Sequence, residues 1–195
     1  MKSVCVALVP PLIVAILPIY ITWQLVDSVK QAIEDLTLQT TNAADMKPLL
    51  VGFNTTKSAA DDIYANARAL GAFGRFAVPP LIQFLNEGTF VQIKAAEVGL
   101  FTAGLTDING TCPILVHVLD NRTRRYSWLT HQSIGSLLAD LNCPKAALAL
   151  IDYQNLLDSG LNHYAQVVSP PDSPDKFDSL KKAIKEDLSR LSKGD

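Results

Sequence analysis

The sequence predicts an all-α protein in which short helices, paired and stacked as an alpha-solenoid, follow an N-terminal transmembrane helix. Three observations predict it. Residues 3–26 carry no formal charge, and 18 of those 24 are hydrophobic. A proline-led apolar segment then recurs at a spacing in the thirties, each time followed by a segment rich in small residues. The last twenty or so residues place apolar side chains at helical spacings of 3 and 4. Charge removes other classes: 17 basic against 19 acidic residues in 195 leave no whole-chain nucleic-acid footprint and no acidic solvating tail.

Residues 1–24 read as a membrane anchor. From Val4 to Thr22 the chain runs VCVALVPPLIVAILPIYIT, which as a helix rises about 28 Å against a hydrocarbon core of roughly 30 Å. Tyr20 and Trp23 close it with the amphipathic rings favoured at a membrane–water interface. The competing readings are a cleaved signal peptide and a buried core helix. A signal has an apolar region of about 7–15 residues and a small-x-small boundary, whereas Ile21-Thr22-Trp23-Gln24 supplies neither small residue. Pro10, Pro11 and Pro18 predict kinks, tolerated in a bilayer where neighbours satisfy the freed carbonyls. Lys2 on one side and Lys30, among acidic residues, on the other give a slight bias toward a cytoplasmic N-terminus, with the main domain outside the cytoplasm.

Residues 25–57 read as a juxtamembrane helix and loop. Val26, Val29, Ile33 and Leu36 form one helical stripe with Asp27, Lys30, Glu34 and Asp35 on the other faces. Residues 42–57, containing Pro48 and Gly52, read as a connection.

Residues 58–160 carry the repeats. Ile63–Gly71 is a helix rich in small residues, Pro79-Pro-Leu-Ile-Gln-Phe-Leu85 opens the next, and Val91–Phe101 follows a loop at 86–89. Pro113-Ile-Leu-Val-His-Val-Leu119 then matches the earlier proline-led segment at an offset of 34, and Ile134-Gly135 matches Val98-Gly99 at an offset of 36. A third cycle starts at Cys143-Pro144. Such a period, with proline opening the first helix of each pair, is the mark of an alpha-solenoid whose helical pairs bury their apolar faces only by stacking. The small residues Ala95, Ala96, Gly99, Ala103 and Gly135 let backbones approach. With P-x-L-I-x-x-L in the first helix and V-x-x-x-A-A in the second, the stretch resembles HEAT-like repeats. That resemblance implies a protein-interaction scaffold and carries over no catalytic residue. Thr130-His131-Gln132 departs from the family pattern where Lys94-Ala95-Ala96 fits it, which leaves open an irregular helical bundle or another two-helix repeat.

Residues 161–174 read as a linker and 175–195 as an amphipathic C-terminal helix. Ser173-Pro174-Asp175 combines an N-cap, an N1 proline and an acidic first turn. Phe177, Leu180, Ile184, Leu188 and Leu191 make the stripe, placed to pack on the end of the stack or on a partner, the alternative being a membrane-surface helix.

The chemistry is sparse. His117, His131 and His163 share no ligand spacing, and no phosphate loop, nucleophile elbow or metalloprotease helix occurs, so no catalytic residue, metal or cofactor is expected. Cys5 lies in the anchor. Cys112 and Cys143 each precede a proline in the same register of neighbouring repeats, where helices lie about 8–10 Å apart, beyond the roughly 7 Å of a disulfide. Free thiols are expected, and a disulfide would point to an oxidising compartment. Arg122, Arg124, Arg125, Tyr126 and Trp128 are the candidate partner-binding residues, in a composition common at binding hot spots. An acidic protein surface or lipid headgroups would suit them; the plainer reading is a solvated turn with its aromatics folded inward. N-x-Thr triplets at Asn54, Asn109 and Asn121 fall in expected loops and are candidate glycosylation sites. The reading is a non-catalytic, membrane-anchored interaction scaffold, an accessory or assembly subunit of a larger membrane complex. A HEAT-like enzyme or cofactor chaperone of the lyase type, or a secreted binder after cleavage, are the alternatives.

Overall fold

The computed structural model describes residues 42–53, 60–120 and 125–192. The chain divides into two compact units, residues 1–42 and 43–195, and the expected anchor and juxtamembrane stripe lie outside the described residues. The second unit is all-α, with no strand among the described residues and one isolated bridge between Ser127 and Ser169. No described helix is long and apolar enough to cross a membrane.

Residues 42–53 form α1, although Pro48 and Gly52 had marked them as loop. Pro48 is exposed, so the carbonyl it strands can be met by water, while Met46 and Phe53 are buried and hold the helix to the core. α2 (Ala60–Gly71) buries Ile63, Ala67 and Leu70. A 3-10 turn at Gly74–Ala77 leads into α3 (Val78–Glu87), whose Pro79 and Pro80 sit in the first turn, where missing amide protons cost no intrahelical bond. α4 (Phe90–Thr106) starts at a capping box: the Thr89 amide donates to Gln92 Oε1 at 2.9 Å, and the Gln92 amide donates to the Thr89 hydroxyl at 3.5 Å. The same Gln92 side chain donates Nε2 to the Phe53 carbonyl at 3.0 Å, tying the start of α4 to the end of α1.

α4 packs against α2 and α3 through Ala95, Ala96, Gly99, Leu100 and Ala103, all buried. A Cβ on Gly99 would stand 2.8 Å from the Ala67 carbonyl oxygen and 2.9 Å from Leu81, so the α2–α4 approach needs a residue without one. A Cβ on Gly135, matched to Gly99 at an offset of 36 in the sequence, would stand 2.9 Å from Ile184 Cδ1 and 3.3 Å from Leu150.

α5 (Ile108–Asp120) begins five residues before the expected Pro113. The Asp107 side chain accepts from the Gly110 amide at 2.9 Å and so caps the earlier start, while Pro113, interior to the helix, points to solvent. α6 (Trp128–Asp140) packs on α5; α7 (Ala146–Asp158) packs on α5 and lightly on α6. The 161–174 stretch is not a plain linker, because Leu161–Val167 forms a short helix, α8, held to α7 with Tyr164 fully buried. α9 (Pro174–Leu191) then packs on both α6 and α7, capped by Ser173 as the sequence predicts, with Phe177, Leu180 and Ile184 buried. Its attachment has a polar clamp: Arg190 pairs with Asp140 and Asp187, and the Ser136 hydroxyl donates to Asp187 at 3.2 Å. Burial pushes the Asp187 carboxyl up, outweighing the downward pull of Arg190 and Ser136.

Cys112 and Cys143 are joined in a disulfide with Cα atoms 5.6 Å apart, against the expectation of free thiols. The expectation failed because the two are not in equivalent register. Cys112 is the fifth residue of α5, whereas Cys143 lies in the turn three residues ahead of α7. That turn, with positive φ at Asn142 and Lys145, brings its backbone closer to α5 than two helix axes stand.

Substituting Gly99→Ala should lower stability by about 1–3 kcal/mol, because a main-chain carbonyl cannot yield as a side chain can. Gly135→Ala should cost clearly less, since its nearest neighbour is the end of an isoleucine. Denaturant midpoints of the two variants check this order.

Candidate functional site

Of the expected partner-binding residues, Arg122 and Arg124 lie outside the described residues. Arg125 is exposed, its guanidinium 5.6 Å from the Tyr126 ring centroid, while Tyr126 and Trp128 are half-buried against the core. The described part of the loop therefore presents Arg125 outward and turns its two aromatics inward. Asn86, at the end of α3, fixes this geometry. Its Nδ2 donates to the Arg125 carbonyl at 3.1 Å, and its Oδ1 accepts from the Ser127 amide at 2.9 Å and the Thr130 hydroxyl at 3.0 Å. Ser127 caps α6, accepting from the Thr130 amide at 3.2 Å. Nothing in the sequence singled out Asn86, because its partners are about forty residues away. Among the glycosylation candidates, Asn54 and Asn121 lie outside the described residues, and Asn109 is exposed in the first turn of α5 rather than in a loop. Thr111 of its triplet is buried and donates to the Ala103 carbonyl at 3.1 Å.

A groove of about 490 Å³ runs between α4 and α6. Phe90 and Leu129, at the N-terminal ends of the two helices, are 75% and 46% exposed, and Ile93 and Leu137 continue the apolar lining. Its polar side is organised: Lys94 pairs with Glu97 at 2.9 Å, and the Ser133 hydroxyl donates to the same carboxylate at 2.7 Å, joining the helices across the groove. Phe90 and Leu129 were not picked out from the sequence; each opens a helix beside a polar cap, and an apolar side chain there reads as core.

Among the buried polar side chains, His131 on α6 is fully enclosed. Its Nδ1 lies 3.1 Å from the Tyr153 hydroxyl, which in turn hydrogen-bonds the Tyr164 hydroxyl at 2.6 Å. Tyr126, His131, Tyr153, Tyr164 and Phe177 thus form a run of edge-on and tilted ring contacts, with centroids 5.3–6.2 Å apart, linking α6, α7, α8 and α9. Burial lowers the His131 pKa to about 4, although the Val118 main chain favours the protonated form. Burial likewise pushes Tyr153 well up and Tyr164 to about 12. A neutral imidazole between inert phenols is a packing and hydrogen-bonding element, with neither nucleophile nor open face beside it. His117 and His163 are exposed and distant in sequence and element, and among the described residues no three His, Cys, Asp or Glu side chains cluster to hold a metal. No protein-family model, curated protein or solved structure matches the chain.

Replacing Asn86 by Ala should destabilise the body by about 1–3 kcal/mol, since it leaves the Ser127 amide and Thr130 hydroxyl short of partners. Amide hydrogen exchange should rise first at residues 127–130. His131 is depressed in the folded protein to about 4 from 6.5 unfolded. Between those values the unfolded chain holds the extra proton, so stability rises with pH and is lost as pH falls from 6.5 to 4. From pH 7 to 4.5 the loss from this group should be about 2–3 kcal/mol, read as the difference between wild type and His131→Phe in denaturant titrations at both pH values.

Proposed function

We propose that the chain is a non-catalytic, membrane-anchored protein-interaction scaffold, an accessory or assembly subunit of a larger membrane complex, which engages its partner along the α4–α6 groove. The observation that carries this reading is the groove: two large apolar side chains stand in water at its mouth above an ordered polar wall, the composition of a docking surface rather than of a reaction centre. The order of packing supports a short alpha-solenoid. α2, α4, α6 and α9 follow one another on one side, and α3, α5 and α7 pack beside α4, α6 and α9. In this reading α9, not α8, is the second helix of the last pair. The uncharged run at residues 3–26 supports the anchor. The Cys112–Cys143 disulfide supports an orientation with the body outside the cytoplasm, because such bonds persist in oxidising compartments.

The test uses the full chain in its native membrane. It should stay in the membrane pellet through alkaline carbonate and, in mild detergent, elute in a complex larger than itself. Phe90→Glu combined with Leu129→Glu should reduce recovery of the associated subunit about tenfold or more without moving the melting temperature. Leu148→Glu, at an exposed α7 position away from the groove, should not. Release by carbonate, a stable monomer, or equal loss from both variants would overturn the proposal.

A further inference from the structure

We propose that the cleft between α5 and the turn that leads into α7 is a thiol–disulfide exchange site, in which Cys112 takes the mixed disulfide and Cys143 is the leaving and resolving thiolate. The inference does not rest on the scaffold reading. The cleft, of about 430 Å³, is walled by Pro113, Val116 and Pro144 and has Cys112 in its lining, whereas Cys143 does not line it. Both cysteines are almost closed to bulk water, at 1% and 4% exposure, so a reagent approaches along the cleft or not at all. Lys145 also lines it, and its ammonium favours entry of an anionic thiolate.

The two sulfurs differ in what surrounds them. Cys143 stands just ahead of the α7 N-terminus, whose amides carry partial positive charge, and two residues before Lys145. Lys145 is itself held with φ 67°, a left-handed conformation costly for a side-chain-bearing residue, in the turn that presents Cys143. Cys112 lies within α5, past its first turn. Exchange goes fastest when the departing sulfur has the lower pKa, which favours Cys143 as leaving group.

The step balances with a thiol reductant. A thiolate RS⁻ attacks Cys112 Sγ, the Cys112–Cys143 bond breaks, and Cys143 departs as a thiolate. A second RS⁻ attacks the reductant's sulfur in the mixed disulfide, releasing Cys112 thiolate and RSSR, so two thiols are oxidised by two electrons while the protein disulfide is reduced. Run backwards with RSSR, the same path closes the bond during maturation.

The experiment incubates the detergent-solubilised, oxidised full chain with reduced glutathione under native conditions. Acid quenching and peptide mass analysis locate the glutathione adduct. The adduct should fall on Cys112, and Lys145→Gln should slow its appearance about three- to tenfold. With oxidised glutathione, Cys143→Ser should take up the adduct at Cys112 at least about tenfold faster than Cys112→Ser does at Cys143, because only Cys112 lines the cleft and access outweighs the stronger thiolate character of Cys143. An adduct on Cys143 in the wild-type chain, reaction only after urea unfolds it, or two free thiols in protein isolated without reductant would each overturn the proposal. The wild-type result decides even if a cysteine variant fails to fold.

Discussion

The separation between α2 and α4 governs the rest of the body. It is set by a helix face made of Ala95, Ala96, Gly99 and Ala103, against which a main-chain carbonyl of α2 comes to within a distance no Cβ tolerates. Close approach replaces side-chain bulk with backbone contact, and Leu81, Leu85 and Leu100 are buried in the space that remains. α4 has little amphipathic asymmetry as a result. It is apolar nearly all round: neighbours cover it on more than one side, and Phe90, Phe101 and Leu105 remain apolar where it meets water. The groove lies between α4 and α6, where Phe90 and Leu129 are left facing water.

Polar groups then fix what apolar packing leaves loose. Gln92 belongs at once to a capping box and to the joint with α1. Asn86 closes the approach to α6, and His131 threads a hydrogen bond through the aromatic contacts that join the last four helices. Each is a buried or half-buried group with specific partners, so each discriminates one arrangement of helices from its neighbours in a way leucines do not.

Legibility followed the range of the signal. The α9 helix was readable because its cap, its proline and its stripe all lie within twenty residues, and the burial of Phe177, Leu180 and Ile184 follows the predicted face. Gly99 and Gly135, matched at an offset of 36 in the sequence, both stand at close approaches, but to different neighbours: Ala67 and Leu81 for the first, Ile184 and Leu150 for the second. Proline misled twice. Pro48 and Pro113 both lie inside helices on exposed faces, where a stranded carbonyl is open to water, and for α5 the local cap at Asp107 sets a start earlier than the expected one. α8 was missed because seven residues are too short for periodicity to declare itself; Tyr164, reaching Tyr153 from eleven positions away, holds it. The disulfide, Asn86 and the groove depend on distances between helices, which no spacing along the chain encodes.

The placement of α9 sets an order on biosynthesis. The face of α6 around Gly135 and Ile134, and the face of α7 around Leu150, find their cover in residues 174–191 rather than in the nearer α8. A nascent chain that has emerged only as far as α7 therefore carries a greasy, incompletely covered flank. Closure of the final layer waits until that distal stretch clears the ribosome or the translocation channel. That interval is the time needed to synthesise some thirty further residues, at about 5–20 per second.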